Sequence, residues 1–149
     1  MVYHIQEILI INHFMNFLCI IPARSGSKGI KNKNIKKIKK LTLIEHAYTF
    51  SNKFKEFDKI IVSTDSKKYL KFLEKYNYKY NKFLRPRSLA KKNSTDLEVL
   101  TFELKRYEKY FKKKFDYIAF LPPTSPLRKK LDMEKCIEVI KKKKPNALW

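Results

Sequence analysis

A chain of 149 residues with 44% hydrophobic and 14% aromatic residues can bury a core, and it is too apolar to be a disordered segment. Its 35 lysines and arginines against 14 acids give a formal net charge of +21, a field that attracts polyanions. Only five of those cations are arginine, the residue that makes bidentate contacts with phosphates and base edges. The lysines are spread over the whole chain, which favours a solvated surface over a dedicated nucleic-acid patch.

The N-terminal stretch is apolar in patches interrupted by Glu7, Asn12, His13 and Asn16, with no basic leader. Met15 stands just before NFLCIIPA, so residues 1–14 read as an extension and 15–149 as the folded unit. Phe17 to Ile21 is a short continuous apolar run, the pattern of a strand buried on both faces. A polar loop to about Lys40 follows. Thr42 and Glu45 form a capping box that starts a helix running to about Ser51. Lys59 to Ser63 (KIIVS) predicts a second buried strand. Asp65 or Ser66 can cap the next helix, on which Tyr69, Leu73 and Tyr76 recur. Tyr80 to Leu84 is a weaker strand prediction. Thr95 and Glu98 make a second capping box, followed by Leu97, Leu100, Leu104, Tyr107 and Phe111 at helical spacing. Asp116 to Leu121 (DYIAFL) is a strand stopped by Pro122 and Pro123. Met133, Cys136, Ile137 and Ile140 mark a last amphipathic helix, ended by Lys141 to Lys144 and Pro145.

Strands alternating with helices predict a three-layer α/β/α, Rossmann-like domain with a mostly parallel sheet. Ligands of such sheets bind beyond the carboxyl ends of the strands, which directs attention to the loops after Ile21, Ser63, Leu84 and Leu121. Cys19 and Cys136 lie in no CxxC pair, which argues against a zinc site. Cys19 reads as a small buried hydrophobe, and a reducing, cytoplasmic location fits both thiols. No segment reaches the length of a membrane span.

Both glycines of the chain, Gly26 and Gly29, lie in the loop straight after the first strand, IPARSGSKGIKNKN. Glycine permits positive φ and close ligand approach. With Arg24, Ser25, Ser27, Lys28 and Lys33 alongside, the loop reads either as a phosphate cradle or as a flexible basic turn. It is neither a Walker A sequence nor a GxGxxG fingerprint.

This loop resembles the signature of the acylneuraminate cytidylyltransferases. Three further segments match that family in order, each beside an expected strand end: IIVSTDS (Ile60 to Ser66), RPRSLA (Arg85 to Ala90) and LPPTSPLR (Leu121 to Arg128). The resemblance runs from about Asn16 to Trp149. It implies a nucleotidyltransferase that joins an acidic nine-carbon sugar of the sialic-acid type to CMP, using CTP and releasing pyrophosphate. It implies Arg24 and Lys28 as catalytic residues, and Arg24, Ser27, Lys28, Lys33 and Asn34 as the triphosphate clamp. Arg85 would lie near cytosine and ribose, and Thr124 and Ser125 on the sugar side. Asp65 is either a helix cap or a ligand contact, and Arg87 and Arg128 could equally face the surface. The family departs from this chain in having Gln at the position of Pro122, an acid at that of Lys92, and Gly-Lys-Pro before a leucine in the LTLIEHA region. Its members continue beyond Trp149 with a sugar-binding dimerisation segment and an acidic pair for Mg²⁺. The expectation is therefore that metal ligands lie mostly past residue 149, with none within this chain. It is also that these 149 residues bind CTP better than they turn it over, and that a homodimer belongs to the full-length family. A membrane or a specific nucleic acid is not an expected partner.

Two other readings stand beside this one. A basic polyanion-binding protein would use KYNYKYNKF for stacking on single strands, and a cytidylyltransferase for another sugar acid would share the fold. Deleting residues 1–14 is expected to leave the thermal melting point and CTP affinity of the chain unchanged. A large loss in either measurement would make that segment an integral element.

Overall fold

The computed structural model describes residues 15–27, 29–78 and 83–146. The expected N-terminal extension and Lys28 lie outside them. The elements are β1 (Phe17–Pro22), β2 (Lys37–Ile38), β3 (Leu41–Thr42), α1 (Leu43–Ser51), β4 (Phe57–Ser63), α2 (Lys67–Lys71), α3 (Asp96–Phe111), β5 (Tyr117–Phe120) and α4 (Lys130–Lys143), with short 3-10 turns at 33–35, 74–76 and 87–90.

The apolar run FLCIIP becomes the central strand of a three-stranded parallel sheet of order β4-β1-β5. Cys19 sits opposite Ile60 on one side and Ala119 on the other. Both ladders continue past the strand ends: Ala23 N–H donates to Ser63 O at 2.8 Å and Leu121 N–H to Ile20 O at 3.0 Å. Alternate β1 residues face opposite cores, as strand geometry demands. Phe17, Cys19 and Ile21 pack with Ile44 and Ala47 of α1, Tyr69 of α2, Leu73 and Ile137 of α4. Leu18 and Ile20, with Ile61, pack against Tyr107, Leu100 and Leu104 of α3. Helices thus cover both faces, giving the three expected layers. Completely burying one such aliphatic side chain contributes about 1.5–3 kcal/mol. Burial pushes the Cys19 thiol up, so it behaves as the apolar filler that the sequence indicated.

The structure differs from the sequence-based expectations at four places. The loop before α1 holds the antiparallel pair β2–β3, with Lys37 opposite Thr42, two residues per strand and too short to show periodicity. The helix after β4 is short: α2 spans five residues and breaks into the 3-10 turn 74–76, although Tyr69 and Leu73 are buried as expected. Of the expected strand Tyr80–Leu84, Phe83 and Leu84 are not in a strand and the rest lies outside the described residues. Leu97 is 73% exposed, because α3 buries the stripe Val99, Glu103 and Tyr107 rather than the first turn.

Both capping boxes form. At α1, Glu45 Oε2 accepts from Thr42 N–H and Thr42 Oγ1, both at 2.7 Å, in a fully buried setting. Burial by itself would raise the Glu45 carboxyl, but donors from Lys75 and from Thr42 outweigh it and hold it below the usual range. A depressed carboxylate stabilises the fold above the pKa of its unfolded form, and that stability is lost as acid protonates it. Thr42→Ala is therefore expected to destabilise by about 2 kcal/mol at neutral pH, and Thr95→Ala, whose box is exposed, by about 0.5–1 kcal/mol. Chemical denaturation of both variants checks the order, and equal costs would show that burial of the first box adds nothing.

Candidate active site

The carboxyl ends of β1 and β5 open into a cavity of about 590 Å³. Its lining comes from the loop after β1 (Arg24, Ser27, Gly29, Ile30, Lys33, Asn34), from Arg85, from Asp96 at the start of α3, and from Phe120 and Pro122 to Thr124 after β5. Of the residues singled out in the sequence, Arg24, Ser27, Lys33, Asn34, Arg85 and Thr124 are brought together here. Ser125 is exposed and is not part of the lining.

The loop after β1 is shaped by its own hydrogen bonds and by the loop after β4. Asp65 accepts from Ser25 N–H at 2.8 Å and from Ser25 Oγ at 2.7 Å. Both carboxylate oxygens are therefore used to fix the other loop. Ser66, not Asp65, is the N-cap residue of α2, and it makes no side-chain cap bond. Asn32 takes a left-handed φ of 56°, Asn34 is buried in the 3-10 turn, and its Nδ2 donates to Arg24 O at 3.1 Å. Asn34 therefore braces the backbone that carries Arg24. Tyr69, almost fully buried, places its hydroxyl 3.4 Å from both Ser25 O and Asn32 Oδ1.

Of the two roles that glycine could serve in this loop, positive φ is not used. Neither adopts positive φ, and a Cβ built on Gly26 or Gly29 would meet nothing within 4 Å. The chain itself does not require glycine there. What glycine leaves is open space over the loop backbone, on the side where Gly29 faces the cavity.

Arg24 and Lys33 line the cavity, and among the described residues neither side chain has an ion-pair partner, a state they share with most of the surface lysines. What sets them apart is their place beside Arg85 on one cavity. Arg85 is 5% exposed. Burial lowers its guanidinium from the ordinary value, and Glu103, Asp65 and Asp96 act in the opposite sense. Its N–H donates to Thr64 O at 2.8 Å, its Nε to Ser63 Oγ at 2.8 Å and its Nη2 to Ser63 O at 2.8 Å. Arg128, half-buried, donates from Nη1 to Ser125 O at 2.7 Å and from Nη2 to Pro122 O, so it ties the loop after β5. Arg87 is exposed and outside the cavity.

Sequence reasoning missed Asp96 and Glu103. Asp96 follows a recognised cap, Thr95, and first-turn acids normally serve the helix dipole, so nothing set it apart. Glu103 lies four residues from both Val99 and Tyr107, on the buried stripe of α3, and an acid at that spacing was the available signal. Among the described residues no group of three His, Cys, Asp or Glu side chains is placed to hold a metal ion. The cavity offers one carboxylate, Asp96, whereas Mg²⁺ commonly takes one or two carboxylates together with substrate phosphates. The described residues alone do not make a Mg²⁺ cage.

The segment KYNYKYNKF does not form a stacking surface where it is described. Tyr76 and Tyr78 pack on the core below α1, Tyr78 against Tyr48 at 5.0 Å between centroids, and Phe83 packs on Tyr107 at 5.7 Å.

A parallel α/β sheet with a cavity at the carboxyl ends of its strands is an α/β protein whose ligands are expected at that edge. The chain belongs to the cytidylyltransferase family, which it matches over residues 18–148. It is 40% identical over 121 residues to the Campylobacter coli post-translational flagellin modification protein B, covering 81% of this chain and 51% of that protein. It is 40% identical over 109 residues to a Campylobacter jejuni CMP-N,N'-diacetyllegionaminic acid synthase, covering 73% and 46%. It is 36% identical over 124 residues to an Escherichia coli N-acylneuraminate cytidylyltransferase, covering 83% and 27%. A solved CMP:2-keto-3-deoxy-manno-octonic acid synthetase complexed with CTP superposes with a TM-score of 0.66 at 18% identity, over 87% of this chain and 48% of the other. The chain spans about half the length, or less, of these relatives. No helix among the described residues is long and apolar enough to cross a membrane.

Asp65→Ala is expected to release the loop after β1. The Ser25 amide should then lose its hydrogen-exchange protection while amides of β1 keep theirs. Unchanged protection at Ser25 would show that the loop holds its shape without the carboxylate.

Proposed function

We propose that this chain is the nucleotide-binding part of a cytidylyltransferase that activates a sialic-acid-type nonulosonic acid with CTP, giving the CMP-sugar and pyrophosphate. The observation that carries this reading is the pair of unpaired cations, Arg24 and Lys33, facing one cavity with the buried Arg85. The family match and the relatives named for CMP-legionaminic acid synthesis and N-acylneuraminate transfer support the reaction class. The CTP complex of the structural neighbour supports the choice of nucleotide.

In this reaction the anomeric hydroxyl of the sugar acid attacks the α-phosphorus of CTP. A new O–P bond forms, the bond to the β-phosphate oxygen breaks, the hydroxyl proton is lost and pyrophosphate departs. The barrier to such transfer is lowered mainly by positioning and by neutralising phosphate charge. Arg24 and Lys33, with Lys28 of the same loop, compensate the triphosphate. Ser27 hydrogen-bonds it, and the open face at Gly26 and Gly29 lets it approach the backbone. Asn34 keeps Arg24 in place through its carbonyl. Arg85 serves the cytosine and ribose, and Thr124 stands on the sugar side with Ser125 beyond it. Mg²⁺, when bound, adds charge neutralisation at the phosphates. The full-length protein is proposed to act as a homodimer in the cytoplasm, where CTP is available. Pro122 lines the cavity with no side-chain donor or acceptor, so the sugar side described here is sparse. Binding and turnover are therefore expected to separate, with pyrophosphate release by the 149 residues well under the ordinary enzyme range of about 1 s⁻¹ or more.

Arg24→Ala and Lys28→Ala are each expected to weaken CTP binding by about 1.5–3 kcal/mol, the usual loss for a charge-assisted contact. Calorimetric titration with CTP, ATP and single-stranded DNA decides between the readings. Selectivity for CTP supports a built pocket, and indifference to the base would mean that the protein binds polyanions by charge alone.

A further inference from the structure

One buried carboxylate stands behind the cavity without touching it. Glu103 is fully buried on the apolar stripe of α3, between Val99 and Tyr107. Its Oε1 accepts from Ser63 Oγ at 2.5 Å, and its Oε2 is paired with Arg106 Nη2. Arg106 Nη1 donates to Leu84 O at 3.0 Å, the carbonyl directly before Arg85.

A serine hydroxyl has one proton to give. Ser63 gives it to Glu103, so its lone pairs face Arg85 Nε, which lies 2.8 Å away. Arg85 Nη2 is taken by Ser63 O, and Nη1 has no partner among the described residues, on a side chain that lines the cavity. Glu103 thus reaches Arg85 twice, through Ser63 Oγ at its Nε and through Arg106 at the carbonyl before it, while Ser63 O and Thr64 O hold its Nη2 and its backbone N–H. Burying such a charge costs stability that an apolar residue of similar volume would not cost, so packing alone does not account for it. Across the sheet, Arg85 is anchored at the end of β4, the loop cations rise from β1 and Thr124 follows β5. Arg85 therefore flanks the triphosphate loop on the side away from Thr124.

We infer that Ser63 and Glu103 are positioning residues that aim Nη1 of Arg85 at the nucleoside part of the ligand. This rests on the CTP reading above.

The test uses the 149-residue chain with two probes, CTP and inorganic tripolyphosphate, and the variants Ser63→Ala, Ser63→Thr and Glu103→Met. Ser63→Ala and Glu103→Met are expected to weaken CTP binding about tenfold, equivalent to about 1.4 kcal/mol, while tripolyphosphate binding stays within about twofold. Ser63→Thr, which keeps a hydroxyl, is expected to retain most of the CTP affinity. Parallel loss of both ligands with a fall in melting temperature would reduce Glu103 to a scaffold residue, and unchanged CTP affinity in folded variants would detach Arg85 from it. Either result overturns the inference. A parent chain that binds CTP no better than tripolyphosphate overturns the CTP reading itself.

Discussion

Because β1 is paired on both edges and buried on both faces, its position in the fold leaves little freedom, and the loop that leaves its carboxyl end starts from a fixed point. The ladders do not stop with the strand. Ala23 is still bonded to Ser63, and Leu121 to Ile20. The first residues of the loops after β1 and β5 are therefore extensions of one rigid sheet, and the side chains they carry inherit its precision. Sites supported in this way hold geometry better than sites on free loops.

From that edge outward, the cavity is made by loops holding one another. Asp65, after β4, uses both oxygens on Ser25, after β1. Asn34 returns to the carbonyl of Arg24, and Arg128 closes the loop after β5 on the carbonyls of Pro122 and Ser125. In each case a polar side chain is spent on a backbone or on another loop, not offered to solvent. Arg24 and Lys33 are not used in this way: their backbones are placed by the loop, and among the described residues their side chains have no hydrogen-bond or ion-pair partner. On the reading proposed above, these are the cations that would meet the ligand.

The three strands of the parallel sheet and the long helices were legible in the sequence for physical reasons. FLCIIP and KIIVS are continuous apolar runs that suit only doubly buried strands, and the two Thr–x–x–Glu boxes mark helix starts through local chemistry. The expected layers follow from that order of elements, and the family match agrees with the motif resemblance. What could not be read was set by distant partners. Asp65 as a cap was a local reading, and a tertiary bond to Ser25, 40 residues away in sequence, overrode it. Glycine offered positive φ or close ligand approach, and only the second is left, since neither glycine has positive φ and the space above both is open. Glu103 follows the helical spacing of a core position, and only the third dimension shows that Ser63 and Arg106 meet it there.

The net charge of +21 is a poor guide to where a ligand binds. Exposed lysines interact through water, where ion pairs contribute little and salt screens them within about 8–10 Å. Arg85 is different in kind. It is removed from water, its charge is opposed by burial and sustained by Glu103, Asp65 and Asp96, and its donors are aimed. An anion that reaches the cavity exchanges hydration for fixed donors at reduced dielectric, where each charge acts more strongly than on the surface. The surface field can raise the encounter rate for any polyanion. On the proposed reading, discrimination among them would fall to Arg85, whose position the sheet and the buried carboxylate dictate.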